Sequence, residues 1–267
     1  MRRIVCLVAL FSQLAFGGFE QTELGARAKS LGGASCALSN DVWAIFSNVG
    51  GLAFLKEREA SVFYAPQQFG LSELSLSAVT AGIPTAVGVI GVAARRYGFD
   101  LYREASWTVS YANAVSEVAI GININYHSLS IEHYGSSGTV GIDAGTVVPI
   151  THQMRWGMAA RNINSPTIGA SKEPLPQSFT SGFAYFPTQR FSIAIDYFKE
   201  VGFDGSVRFG SEYAVVDAVA LRIGISNVPT EYAGGIGIKY GAFEVDYAFF
   251  THQELGITHQ GSILIRW

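Results

Sequence analysis

The chain has 267 residues, of which 49% are hydrophobic and only 15% charged, with a formal net charge of −3. Soluble domains carry about 25% charged residues, yet no apolar run here reaches the roughly 20 residues of a membrane helix. That excludes a polytopic helical protein, a disordered chain and, with two cysteines, a disulfide scaffold. It leaves a transmembrane β-barrel, whose lipid-facing residues are diluted by alternation.

The N-terminus reads as an export signal over residues 1–18. Arg2 and Arg3 precede the apolar run Ile4–Phe11, and Ala15-Phe16-Gly17 offers small residues for cleavage. No small residue stands just before Cys6, so no lipid anchor is expected. Cleavage leaves 16 basic against 21 acidic residues, a balance that disfavours nucleic acid as a partner. Cys36 would then be the single cysteine, with no intrachain disulfide.

Residues 19–56 are rich in Gly, Ala, Ser and Asn without sustained alternation. They predict a compact segment with one or two helical turns, one of them capped by Asp41 and carrying Val42, Ile45 and Phe46.

From 57 to 267 the period is close to two. Phe243, Val245, Tyr247 and Phe249 share one face, opposite Glu244, Asp246 and Ala248. Fourteen segments of this kind are expected, at 58–66, 71–82, 85–97, 101–113, 116–128, 138–149, 152–163, 177–187, 190–200, 204–215, 217–227, 231–240, 242–251 and 258–267. Most approach the roughly 9–11 residues that span a bilayer at a tilt. Tight connections, such as Ile83-Pro84, alternate with longer ones, the longest being Asn164–Pro176. Short periplasmic turns and longer outside loops mark an up-and-down outer-membrane barrel. A soluble barrel would point its greasy faces inward. Here the second face is mostly small residues with a few charges, which suits a lumen. By alternation those charges are Glu117, Asp143, Arg155, Arg161, Asp196, Arg208, Glu212, Arg222, Lys239, Glu244, Asp246 and Arg266. They read as cross-strand pairs that hold the barrel and anchor a plug. Trp267 ends a last amphipathic strand and looks like the assembly signal read by the barrel assembly machinery.

Catalytic signatures are missing. There is no G-x-S-x-G, P-loop or H-E-x-x-H. Gly234-Gly235-Ile236-Gly237 lies in a strand, not before a helix, and suits a plug packed on the wall. The five histidines form no metal set. No enzyme, cofactor or metal is expected.

Two stretches carry a resemblance. The first is Leu24-Gly25-Ala26-Arg27, Gly32-Gly33-Ala34, Asn40-Asp41, Trp43-Ala44 and Asn48-Val49-Gly50-Gly51-Leu52-Ala53. The second is Asp246-Tyr247-Ala248-Phe249 with Glu254–His259. The first resembles the N-terminal hatch of FadL-type long-chain fatty-acid transporters and the related PorV/PorQ proteins of type IX secretion. It departs from their pattern at Val49-Gly50, where Pro-Ala is usual. The second resembles the closing hairpin of the PorV/PorQ branch. The resemblance implies a fourteen-strand barrel in the outer membrane of a Gram-negative-type bacterium. It implies a hatch built on Gly25, Arg27, Gly32, Gly33, Asn40, Asp41 and Asn48, with Arg27 and Lys29 paired to carboxylates such as Glu244 or Asp246. Trp43, Phe46, Leu52 and Phe54 are the candidate apolar ligand contacts. The implied function is passive passage of small hydrophobic molecules. The alternative is a type IX shuttle or scaffold that binds secreted proteins.

Overall fold

The computed structural model describes residues 18, 19 and 23–267. The expected export signal, apart from Gly18, lies outside the described residues.

Strands with one greasy face must cover it, and a long sheet removes its open edges by closing on itself. This sheet closes. Its strands are β1 Glu59–Ala65, β2 Leu76–Thr85, β3 Gly88–Gly98, β4 Tyr102–Val115, β5 Val118–Ile131, β6 Gly135–Thr151 and β7 Met154–Arg161. A short hairpin, β8 Thr167–Ile168 with β9 Glu173–Pro174, sits in the loop that follows. The barrel resumes with β10 Ser178–Thr188, β11 Phe191–Glu200, β12 Ser206–Val216, β13 Val219–Asn227, β14 Thr230–Tyr240, β15 Phe243–His252 and β16 Gly256–Arg266. Fourteen antiparallel strands form the ring, and β1 meets β16 from Glu59↔Arg266 to Tyr64↔Gly261. Among the described residues no helix is long and apolar enough to cross a membrane.

At one end every connection is a two-residue turn: 86–87, 116–117, 152–153, 189–190, 217–218 and 241–242. The other end carries the longer loops, led by 66–75 and 162–177. Three sequence expectations are corrected here. The second strand starts at Leu76, not 71, because Ser72–Leu74 coils into a 3-10 turn. Ile83 and Pro84 remain in the ladder opposite Ile90 and Val89, so the turn moves to 86–87. Glu117 is exposed in a turn and not in the lumen, since the left-handed Ser116 (φ 58°) breaks the alternation just before it.

The greasy faces point outward. Val79, Val92, Trp107, Ile122, Ile195, Ile223 and Val245 are all exposed around the wall. A continuous apolar belt of this size is stable only against lipid.

Inside, the N-terminal segment bridges opposite walls. Helix α1 (Ala26–Ser30) packs on β13–β16, and a 3-10 helix (Val49–Phe54) packs on β3–β6. Small wall residues make the room. Gly121 and Gly145 face each other across β5 and β6, and a side chain on either would collide with the backbone or side chain of Asn48–Gly50. On the far wall a Cβ on Gly224 would collide with the Gly32 backbone nitrogen.

Candidate functional site

The segment's path is set by glycines with left-handed backbone. Gly25 (φ 95°) opens α1 against the face of Trp43, where a Cβ would lie 2.9 Å from the ring. Gly32 (φ 64°) and Gly33 (φ 78°) reverse the chain beside β13, a conformation that costs a residue with a side chain.

Polar groups then fix the segment to the wall. Arg27 grips Glu212 with two parallel bonds, Nε to Oε2 at 2.9 Å and Nη2 to Oε1 at 3.0 Å. Its Nη1 reaches Asn40 (2.8 Å) and Asp41 (3.0 Å). Glu212 also accepts from Arg222, which bonds Asp246 (2.5 Å) and lies 3.7 Å from Glu244. Glu244 meets Arg266 at 2.8 Å, Arg266 meets Glu59 at 2.8 Å, and Glu59 accepts the Val42 backbone N–H at 2.8 Å. The network thus leaves the segment at Arg27, passes through side chains of β12, β13, β15, β16 and β1, and returns to the segment at Val42. Arg27 is held well above its ordinary range. Burial opposes its charge, but Glu212 and Asp41 outweigh burial.

Lys29 bonds Glu231 at 2.8 Å, lies 3.5 Å from Glu23 and sits over the Phe250 ring. Glu23 also meets Arg208 at 2.7 Å. Burial alone would raise the Glu23 carboxyl, but Arg208 and Lys29 reverse this and hold it at about 2. The expected pairing of Arg27 and Lys29 with Glu244 or Asp246 is therefore corrected. Those two carboxylates are occupied by the wall's own Arg222 and Arg266, and the segment takes Glu212 and Glu231 instead.

Asn48 is buried and uses both ends of its amide. It donates to the Cys36 and Thr146 carbonyls, each at 2.9 Å, and accepts from the Gly50 N–H. Asp41 accepts from the Trp43 N–H at 2.9 Å in the turn that precedes the short helix Ala44–Ser47, whose own N-cap residue is Trp43. The Cys36 thiol is pushed up by burial and by nearby Asp196, so it stays protonated.

The four apolar candidates divide. Trp43 and Leu52 are packed with Val42, Ile45 and Leu55 against Phe63, Leu76, Ala78 and Val89 of the wall. Phe46 borders two small voids. Phe54 lines a cavity of about 740 Å³ at the short-turn end, where Arg155 stands over its ring at 5.0 Å. That vestibule is charged, with Arg27, Glu59, Glu212, Glu244 and Arg266 on its walls.

A second cavity, of about 440 Å³, opens at the long-loop end. Phe69, Leu74, Leu76, Tyr97, Phe99 and Phe250 form its apolar lining, and Lys29, Glu73, Arg95, Glu104 and Glu231 its charged lining. Sequence reasoning missed it. The signal was present as two aromatics beside glycines, Phe69-Gly70 and Gly98-Phe99, in loops of the same barrel end. The packed segment lies between the two cavities.

Trp267 is exposed at the short-turn end. Its backbone pairs with Arg58 in both directions, at 3.1 and 3.2 Å, and extends the β1–β16 closure.

No protein-family model matches the chain, and no curated protein matches it. Solved structures with similar folds include the following three. The toluene transporter TodX of Pseudomonas putida has a TM-score of 0.65 at 11% identity, covering 90% of this chain and 96% of that one. A FadL homologue of Pseudomonas aeruginosa has a TM-score of 0.62 at 11% identity, covering 91% and 96%. A deltaS2 mutant of TodX, described as a monoaromatic hydrocarbon channel, has a TM-score of 0.64 at 11% identity, covering 92% and 98%. At this identity the likeness is one of fold, a FadL-like closed barrel. The secretion-shuttle alternative has no counterpart among these three.

Proposed function

We propose that the protein is a passive outer-membrane channel for small hydrophobic molecules. The carrying observation is the cavity at the long-loop end, where Phe69, Phe99 and Phe250 offer apolar surface among charged side chains, separated from a second, charged vestibule at the short-turn end by a segment tied to both walls. The cavity falls within the roughly 300–1,000 Å³ of small-molecule sites. In this reading an apolar solute enters between loops 66–75 and 99–101 and desolvates against Phe69, Phe99 and Phe250. The N-terminal segment then acts as a hatch: it must shift before the solute reaches the vestibule and the periplasm. No bond is made or broken and no energy source is needed. The fold shared with TodX and a FadL homologue supports this reading.

The test is uptake of toluene by cells carrying the protein, compared with a Leu74→Trp variant that fills the cavity from a loop. Toluene uptake is expected to fall several-fold while the barrel assembles normally. Unchanged uptake in the assembled variant would remove the cavity from the path. Apolar small molecules are also expected to co-purify with gently extracted wild-type protein.

A further inference from the structure

The outer surface of β2–β6 changes character along a single line. Cross-strand register aligns Val79, Ala94, Trp107, Tyr126 and Val140 in one outward row. Trp107 and Tyr126 lie 5.9 Å apart by ring centroids in that row. The next outward row toward the long-loop end is Ser77, Arg96, Ala105, Ser128 and Gly138. The row beyond it is Gly98, Arg103, Ser130 and Ser136. An apolar and aromatic belt thus gives way, within one residue pair per strand, to two arginines set among hydroxyls.

Aromatic residues favour the level where acyl chains meet headgroups, so the two rows above Trp107 and Tyr126 lie among headgroups. Arg96 and Arg103 are diagonal neighbours on this face, since Arg96 pairs with Ala105 and Arg103 with Gly98. Such positions are roughly 7–8 Å apart, a span one phosphorylated headgroup can bridge. Both are available. Arg96 is exposed and has no carboxylate partner among the described residues. Among the described residues Arg103 has Asp100 alone as a carboxylate neighbour, at 3.7 Å, and its buried Nε has no hydrogen-bond partner. The outer ends of β14–β16 carry Tyr232, Phe249 and Ile257 instead.

We infer that the outward face of β3–β5 at the long-loop end is a binding site for a phosphate-bearing lipid headgroup of the outer leaflet. The two guanidinium groups hold the phosphate, Ser77, Ser128 and Ser130 supply hydroxyls, and the acyl chains lie on Trp107, Ala94 and Val92. This rests on the membrane orientation in the proposed function but not on transport.

The test reconstitutes the full chain and an Arg96→Gln/Arg103→Gln variant into phosphatidylcholine vesicles containing lipid A. Protein is re-extracted, and retained lipid A is counted by native mass spectrometry. Each cation near a membrane surface changes binding several-fold, so the double variant should retain roughly ten- to thirty-fold less. An Arg96→Lys/Arg103→Lys variant should recover part of the retention. Equal retention by wild type and the Gln variant, both inserted, would overturn the proposal. So would displacement of lipid A by millimolar inorganic phosphate, which would mark a free-phosphate site. Failure of wild type to insert would overturn the membrane reading as well. Toluene uptake should be unaffected by the Gln variant, which keeps the two readings separable.

Discussion

The two walls of the lumen hold the N-terminal segment by different physics. The β1–β4 wall presents Phe63, Ala65, Leu76, Ala78, Val89, Ala93 and Ala112, and the segment answers with Val42, Trp43, Ile45, Leu52 and Leu55. Next to it around the ring, beyond the β1–β16 seam, β12–β16 presents Arg208, Glu212, Arg222, Glu231, Glu244, Asp246 and Arg266, answered by Glu23, Arg27 and Lys29, with Asp41 bracing Arg27. The first contact depends on volume and is indifferent to pH. The second depends on geometry and charge. A segment that had to move would part more readily from the charged wall. Lumen water can take over each ionic contact there, whereas exposed Leu or Trp surface gains nothing comparable from water.

Breaking the charged wall at its centre should have the largest effect. Arg222 is only 3% exposed and serves Glu212, Glu244 and Asp246. Arg222→Met leaves three carboxylates short of a cation, and losing one partner of a buried pair costs about 3–5 kcal/mol. Urea unfolding of the vesicle-inserted barrel should show that loss. A change below about 1 kcal/mol would mean that lumen water already screens the cluster.

On the apolar wall the matching change is Leu52→Ala. Leu52 is fully buried between the segment and the wall. Truncating a buried leucine costs about 2–5 kcal/mol, here charged to the seating of the segment and not to the barrel ladder. Limited proteolysis near residues 40–55 should therefore accelerate while the strands stay protected. Equal protection in both proteins would show that the charged wall alone holds the segment.

Most of the fold was legible because alternation is local. The Ala242–Phe249 pattern needs no partner to be read, and the observed β15 runs Phe243–His252. The misses share one cause, which is local conformation interrupting a period. The 3-10 turn Ser72–Leu74 hides inside an alternating stretch, and Ser116 flips the face expected for Glu117. The hairpin within 162–177 is too short to show a period. The segment's glycines and Asn48 were legible as features that only a crowded path would require. Its ionic partners were not, because the choice of Glu212 over Glu244 for Arg27 is fixed by shear between strands 185 residues away. The aromatic cavity was hidden for the same reason, since Phe69, Phe99 and Phe250 meet only after closure.

The smallest expected effect separates the two walls by pH. Glu23 has an ordinary carboxyl value of 4.5 and is held at about 2 in the folded chain by Arg208 and Lys29, against the opposing effect of burial. A folded value below the unfolded one means that the carboxylate stabilises the fold when ionised. That contribution is complete above pH 4.5 and is lost as pH falls from 4.5 through about 2. The full shift sets an upper bound, and lumen water reduces it, so about 1–2 kcal/mol is expected. Proteolytic protection of residues 23–35 by an acid-stable protease should weaken from pH 5 to pH 3 in wild type. In Glu23→Gln it should start lower and vary less. Protection around Leu52, seated on the apolar wall, should stay nearly constant over the same range. Parallel decay of both regions would show that the two walls release the segment as one unit.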